Sequence, residues 1–136
     1  MFVDNFSRKS GVYFLKETFK VFETFKKFKV MVLKETGNHI KVVRSDRERG
    51  FMSVMFVKYY EEHGIKRLLT TPYSPQHNGV MERKNWTILS MVLTMLKSKN
   101  MPMKLWEEVV QCAIYVQNRC PHVELNKNTP QEIWSG

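Results

Sequence analysis

The chain has 136 residues, 43% of them hydrophobic and 26% charged, which excludes wholesale disorder and allows one domain with a sizeable core. Its 22 Lys and Arg against 13 Asp and Glu leave a formal net charge of +9. That excess favours polyanions through phosphate contacts and counterion release, without choosing among DNA, RNA and acidic membranes. Cys112 and Cys120 suggest neither a disulfide framework nor a thiolate metal site. No apolar run approaches the roughly 18–20 residues of a membrane span. The start, Met1-Phe2-Val3-Asp4, has neither the basic nor the apolar region of a signal peptide, so an intracellular protein is expected.

In chain order, Ser10-Gly11 is a turn signal, and the apolar run from Val12 to Leu15 predicts a strand over Gly11–Lys16. Phe19, Phe22, Phe25 or Lys26, Phe28 and Val32 then recur at helical spacing, with lysines on the opposite face and Gly37 as a C-terminal cap. The phenylalanine stripe reads as core packing. Ile40 to Ser45 predicts a strand that delivers Asp46 at its end. Ser53 can cap a helix with Met52, Phe56, Tyr59 and Tyr60 inward and Gly64 closing it. Ile65 to Leu69 is a further strand, close enough to that helix to predict a parallel crossover. Thr71 to Gly79 is turn-rich and reads as a loop. Helices are predicted from Val80 to about Lys99, with Ile88, Met91, Val92, Met95 and Leu96 apolar, and from Met103 to Asn118, with Trp106, Val109, Val110, Ile114 and Tyr115. Thr129-Pro130-Gln131-Glu132 resembles a helix start. The result is a mixed α/β chain, strands early and helices late.

Two carboxylates stand out by placement. Asp46 ends a predicted strand, and Glu82 lies in the first turn of a predicted helix after a loop. Strand ends and helix starts are where α/β folds gather their sites. Converging carboxylates can hold Mg²⁺, which prefers oxygen ligands, and a metal pair can drive phosphodiester chemistry. Acids at such positions are common, however, and a glutamate there also complements the helix dipole.

Longer ordered segments resemble a known family. They are Arg44-Ser45-Asp46, Glu62-His63-Gly64-Ile65-Lys66-Arg67, and the run from Thr71-Pro72-Tyr73-Ser74-Pro75-Gln76-His77-Asn78-Gly79 through Val80-Met81-Glu82-Arg83-Lys84-Asn85. Trp106, Asn118-Arg119-Cys120-Pro121 and the ending Thr129 to Gly136 agree, as does Phe2-Val3-Asp4-Asn5-Phe6-Ser7-Arg8-Lys9 upstream. Between Asp46 and Glu82 lie 35 residues, positions 47 to 81, the interval of integrase Asp-Asp-Glu triads. The chain resembles the catalytic core of Copia-type LTR-retrotransposon integrases. The resemblance implies an RNase H-like fold, a mixed sheet with flanking helices. It also implies a polynucleotidyl transferase that trims element DNA ends and joins them to target DNA. Asp46 then matches the second acid of the triad and Glu82 the third, as Mg²⁺ or Mn²⁺ ligands. Tyr73, Gln76, His77 and Asn78 match the active-site loop and, with Arg83 and Lys84, are implied DNA contacts. The alternative for Arg83 and Lys84 is that of solvated helix residues. Nuclear residence, DNA as partner and homo-oligomers are further family expectations.

Several features depart from the pattern. The family's first aspartate lies on a central strand that would precede Met1. The expectation is a single-domain core fragment over residues 1–136, incomplete at both ends, without that strand and impaired as an enzyme. Asp4 matches the end of the neighbouring antiparallel strand and is expected to cap a turn. Arg47-Glu48-Arg49-Gly50-Phe51 replaces a glycine turn, and Trp86 stands where the family often carries arginine. A non-catalytic, basic nucleic-acid-binding or inert remnant of a decayed element is the competing reading.

Overall fold

The computed structural model describes residues 1–45, 53–70 and 79–136. It divides into two compact units, one made of Met1–Phe14 with Gly79–Gly136 and the other lying within Leu15–Asn78. The described strands form two separate two-stranded sheets, one in each unit.

The first unit opens with a hairpin. Strand β1 (Phe2–Val3) pairs antiparallel with β2 (Ser10–Gly11), Phe2 facing Gly11 and Val3 facing Ser10. At the turn the Asp4 carboxylate accepts from the Ser7 backbone N–H and hydroxyl, both at 2.7 Å, so Asp4 is the turn cap its position suggests. Asp4 opposes two residues: its N–H donates to the Lys9 carbonyl, and its carbonyl accepts from the Arg8 N–H. That is a bulge, with Arg8 in the left-handed region at φ 61°. The strand expected over Gly11–Lys16 is therefore shorter and earlier. Gly11 already faces Phe2, and the ladder ends there while Tyr13, Phe14 and Leu15 remain partly exposed.

Helices α3 (Gly79–Ser98) and α4 (Trp106–Asn118) supply the core of this unit. Ile88, Val92 and Leu96 recur at steps of four and pack with Val109, Val110, Ala113 and Ile114, the contiguous apolar stripes expected of two packed amphipathic helices. Tyr115 on α4 is exposed. The helix expected from Met103 starts as a 3₁₀ turn over Met103–Leu105 before α4 begins, a common entry where Pro102 precedes the first turn. A short helix α5 (Pro130–Ser135) closes the chain with a reciprocal cap: the Thr129 hydroxyl accepts from the Glu132 N–H, and the Glu132 carboxylate accepts from the Thr129 N–H. Lys9 lies over the Trp134 ring, 4.9 Å from its centroid, tying hairpin to terminus.

The second unit holds α1 (Lys20–Thr36), β3 (Val42–Ser45), α2 (Val54–Glu62) and β4 (Lys66–Leu69). The phenylalanine stripe packs from Phe22 onward, whereas Phe19, the residue before α1, is 75% exposed. Phe22 and Phe25 of α1 meet Phe56, Tyr59 and Tyr60 of α2 in mostly edge-on ring contacts of 5.0–6.3 Å. Gly37 ends α1 at φ 71°, donating its N–H to the Leu33 carbonyl, a left-handed cap that glycine adopts without Cβ strain. Ser53 caps α2 by accepting from the Phe56 N–H. Strands β3 and β4 pair in parallel from Val42 facing Lys66 to Ser45 facing Leu69, as the short crossover predicts.

Candidate functional site

Glu82 lies in the first turn of α3. Its side chain is exposed, and the position complements the positive end of the helix dipole. Ser45 closes β3. Asp46 itself and the loop residues Tyr73, Gln76, His77 and Asn78 lie outside the described residues. Among the described residues no group of three or more His, Cys, Asp and Glu could hold a metal ion.

Arg83 and Lys84 do not share the Glu82 face. At about 100° per residue, Arg83 is turned about 100° and Lys84 about 200° from Glu82. Lys84 is not a solvated helix residue: only 7% of it is exposed, and its Nζ donates to Gln117 Oε1 on α4 at 3.1 Å. Burial pushes its ammonium below the usual lysine range, the nearby Arg8 charge adds to that, and Glu124 opposes it.

Behind α3, on the side away from Glu82, is a cleft of about 280 Å³ lined by Arg8, Arg83, Lys84, Gln117, His122 and Glu124, with Val80 and Thr87 completing the α3 wall. Every wall belongs to the first unit. The bulge brings Arg8 in, and its guanidinium pairs with the Glu124 carboxylate at 2.9 Å. His122 caps the 3₁₀ turn Val123–Leu125, its Nδ1 accepting from the Glu124 N–H at 3.3 Å. This tautomer leaves the Nε2 proton as the donor of the ring. The sequence carried one sign of this arrangement. The buried stripe Leu96, Val92, Ile88, continued one step toward the amino end, lands on Lys84. Arg8, Gln117, His122 and Glu124 carry no local signal, because separate segments bring them together.

No protein-family model matches the chain. It is 43% identical over 134 residues, 98% of its length, to the Retrovirus-related Pol polyprotein from transposon TNT 1-94 of Nicotiana tabacum. The chain spans about one tenth of the length of such curated relatives. Among solved structures, the simian T-cell lymphotropic virus intasome in complex with PP2A regulatory subunit B56 gamma matches with a TM-score of 0.73 at 19% identity. That match covers 98% of this chain and 46% of the other. The HTLV-2 integrase catalytic core domain in complex with magnesium, in its trimeric form, gives a TM-score of 0.69 at 21% identity, covering 96% of this chain and 80% of that one.

Proposed function

The chain belongs to the integrase family carried in retrotransposon Pol polyproteins and has the α/β, RNase H-like fold of retroviral integrase catalytic cores; from that premise we propose that it is the Copia-type core whose chemistry is divalent-metal-dependent transesterification of DNA phosphodiesters. The observation that carries this reading is the 43% identity across 98% of the chain. Within the chain Glu82 presents an exposed carboxylate from the first turn of α3.

In this proposal Asp46 and Glu82 are the chain's metal ligands. The donor set suits Mg²⁺ or Mn²⁺: both are carboxylates, hard oxygen ligands, and Glu82 makes no ion pair among the described residues. A cation bound there would supply Lewis-acid stabilisation to the reacting phosphodiester. Tyr73, Gln76, His77 and Asn78 would contact element-end and target DNA, and Arg83 would meet a backbone phosphate. The related HTLV-2 core was solved with magnesium in a trimeric form, which supports divalent-metal use and self-association here. Nuclear residence belongs to the same proposal, because the target DNA is there.

The net charge of +9 favours a second reading, a basic nucleic-acid-binding protein without turnover. A strand-transfer assay separates the two, using element-end DNA with Mg²⁺ or Mn²⁺. Joined product that disappears in Glu82→Gln and on chelation supports the transesterase. Salt-sensitive DNA binding with no joined product under either metal supports the second reading and overturns the first.

A further inference from the structure

We propose that the cleft behind α3 is a receptor for a phosphate group, separate from the face that presents Glu82. Three cationic side chains line it, Arg8, Arg83 and Lys84, against one carboxylate, Glu124. That carboxylate is already engaged, because Glu124 pairs with Arg8. The cleft therefore carries two uncompensated positive charges, the complement of a phosphate dianion.

The decisive group is the Lys84 ammonium. Only 7% of the residue is exposed, and its bond in the described structure goes to the neutral Gln117 amide. A buried cation without a counter-ion is costly, which is why buried charges are normally paired. Two of its three N–H donors remain for a ligand. His122 adds a third donor, since its Nδ1 accepts from the Glu124 N–H and leaves Nε2–H available. The Arg83 guanidinium makes no ion pair among the described residues. It supplies a planar fork suited to two phosphate oxygens. The donors thus come from α3 on one wall and from the turn after α4 on the other. Convergence from separate walls suits a tetrahedral oxyanion better than a planar carboxylate. A cleft of about 280 Å³ falls just below the range of drug-sized pockets, enough for one phosphate and part of what bears it.

The phosphate could belong to a free phosphate ester or to a nucleic-acid backbone, and titration calorimetry on the full chain distinguishes them. Inorganic phosphate is titrated against chloride at matched ionic strength, then again with a short single-stranded oligonucleotide already bound. Saturable phosphate binding is expected, weakened about tenfold or more by Arg83→Gln and by Lys84→Met, as loss of a charge-assisted hydrogen bond requires. Arg83 is exposed, so its variant stays informative should Lys84→Met disturb folding. Displacement of phosphate by the oligonucleotide assigns the site to a backbone phosphate, and simultaneous binding assigns it to a free ester. Binding no stronger than chloride, or binding indifferent to both substitutions, overturns the proposal. Glu82→Gln should leave phosphate binding unchanged, so this test and the strand-transfer test fail independently.

Discussion

Asn118→Ala should be among the most damaging single substitutions in the first unit. In an antiparallel pair, facing residues alternate between hydrogen-bonded and non-bonded positions. Asp4 and Lys9 are bonded, so the next facing pair, Val3 and Ser10, turns its backbone polar groups outward. Asn118 meets those of Ser10 with both ends of its carboxamide: Oδ1 accepts from the Ser10 N–H at 2.9 Å, and Nδ2 donates to the Ser10 carbonyl at 2.8 Å. The side chain thus does what a neighbouring strand would do. Ser10 is 2% exposed and Asn118 5%, so water does not replace the lost partner without movement. Stranding one buried N–H and one carbonyl costs about 1–3 kcal/mol each, or about 2–6 kcal/mol together. Urea unfolding should register this as a lower midpoint with an unchanged slope, and the Ser10 amide should exchange faster with solvent. Asn118→Asp should be no milder at neutral pH, because it sets a second acceptor against the Ser10 carbonyl. A loss below about 0.5 kcal/mol for Asn118→Ala, the range of an ordinary surface change, would refute this account.

Tyr60 is 3% exposed, and its hydroxyl is buried with no hydrogen-bond partner among the described residues. Tyr60→Phe should therefore be neutral or stabilising by about 1 kcal/mol, measured by the same urea titration. Burial pushes the Tyr60 phenol up to about 12, against the opposing Arg67 charge. The unfolded chain ionises first, near pH 10. The stability that this group contributes is thus complete below about 10 and declines as pH rises through about 12, a loss of about 2–3 kcal/mol that the Phe variant should lack. At the other end, the Thr129 N–H and then the Thr129 hydroxyl hold the Glu132 carboxyl below the usual carboxylate range. With its folded value lowered, its contribution is present above the unfolded glutamate value and disappears as pH falls through the folded one. Thr129→Ala should cost about 1 kcal/mol as a lost N-cap and lessen that acid-side decline in thermal melts without removing it, because the backbone N–H remains.

The parts of the fold legible in the sequence were those that depend on neighbours in the chain. Phe22 and Phe25 announced the buried face of α1, Gly37 its end, Ser53 the start of α2, and Thr129 with Glu132 the cap of α5. Each of these signals acts within one or two helical turns. What escaped depends on contacts made across the chain. Ser10 and Asn118 are bonded across a separation of 108 residues, and no periodicity encodes that. The register of Gly11 against Phe2 decides where β2 stops, whereas the apolar run alone pointed to Leu15. For the candidate site, Glu82 sits in the first turn as its position suggested. Lys84 was read by its charge and its neighbour in sequence, although its place four residues before Ile88 put it on the core stripe. Asp46 and the loop positions 73–78 fall outside the described residues.

The burial of Lys84 bears on how Glu82 is presented. Ile88, Val92 and Leu96 lock the middle and end of α3 onto α4, but helix ends fray where packing stops, and Glu82 sits in the first turn. Contact with α4 continues to that end through a polar group: the Lys84 ammonium reaches Gln117, near the far end of α4. One turn of helix therefore has two tasks on opposite faces, offering a carboxylate outward while an ammonium fastens it behind. An apolar residue at 84 would extend the core stripe but would lose the directional bond that fixes the rotation of the turn. Rotation is what matters for the metal-ligand role proposed for Glu82, since a slip of one residue about the axis swings a side chain through about 100°. The lysine's desolvation is a cost that packing alone would not require. It becomes intelligible if the cleft needs a positive charge at that depth and the helix needs an anchor that cannot turn.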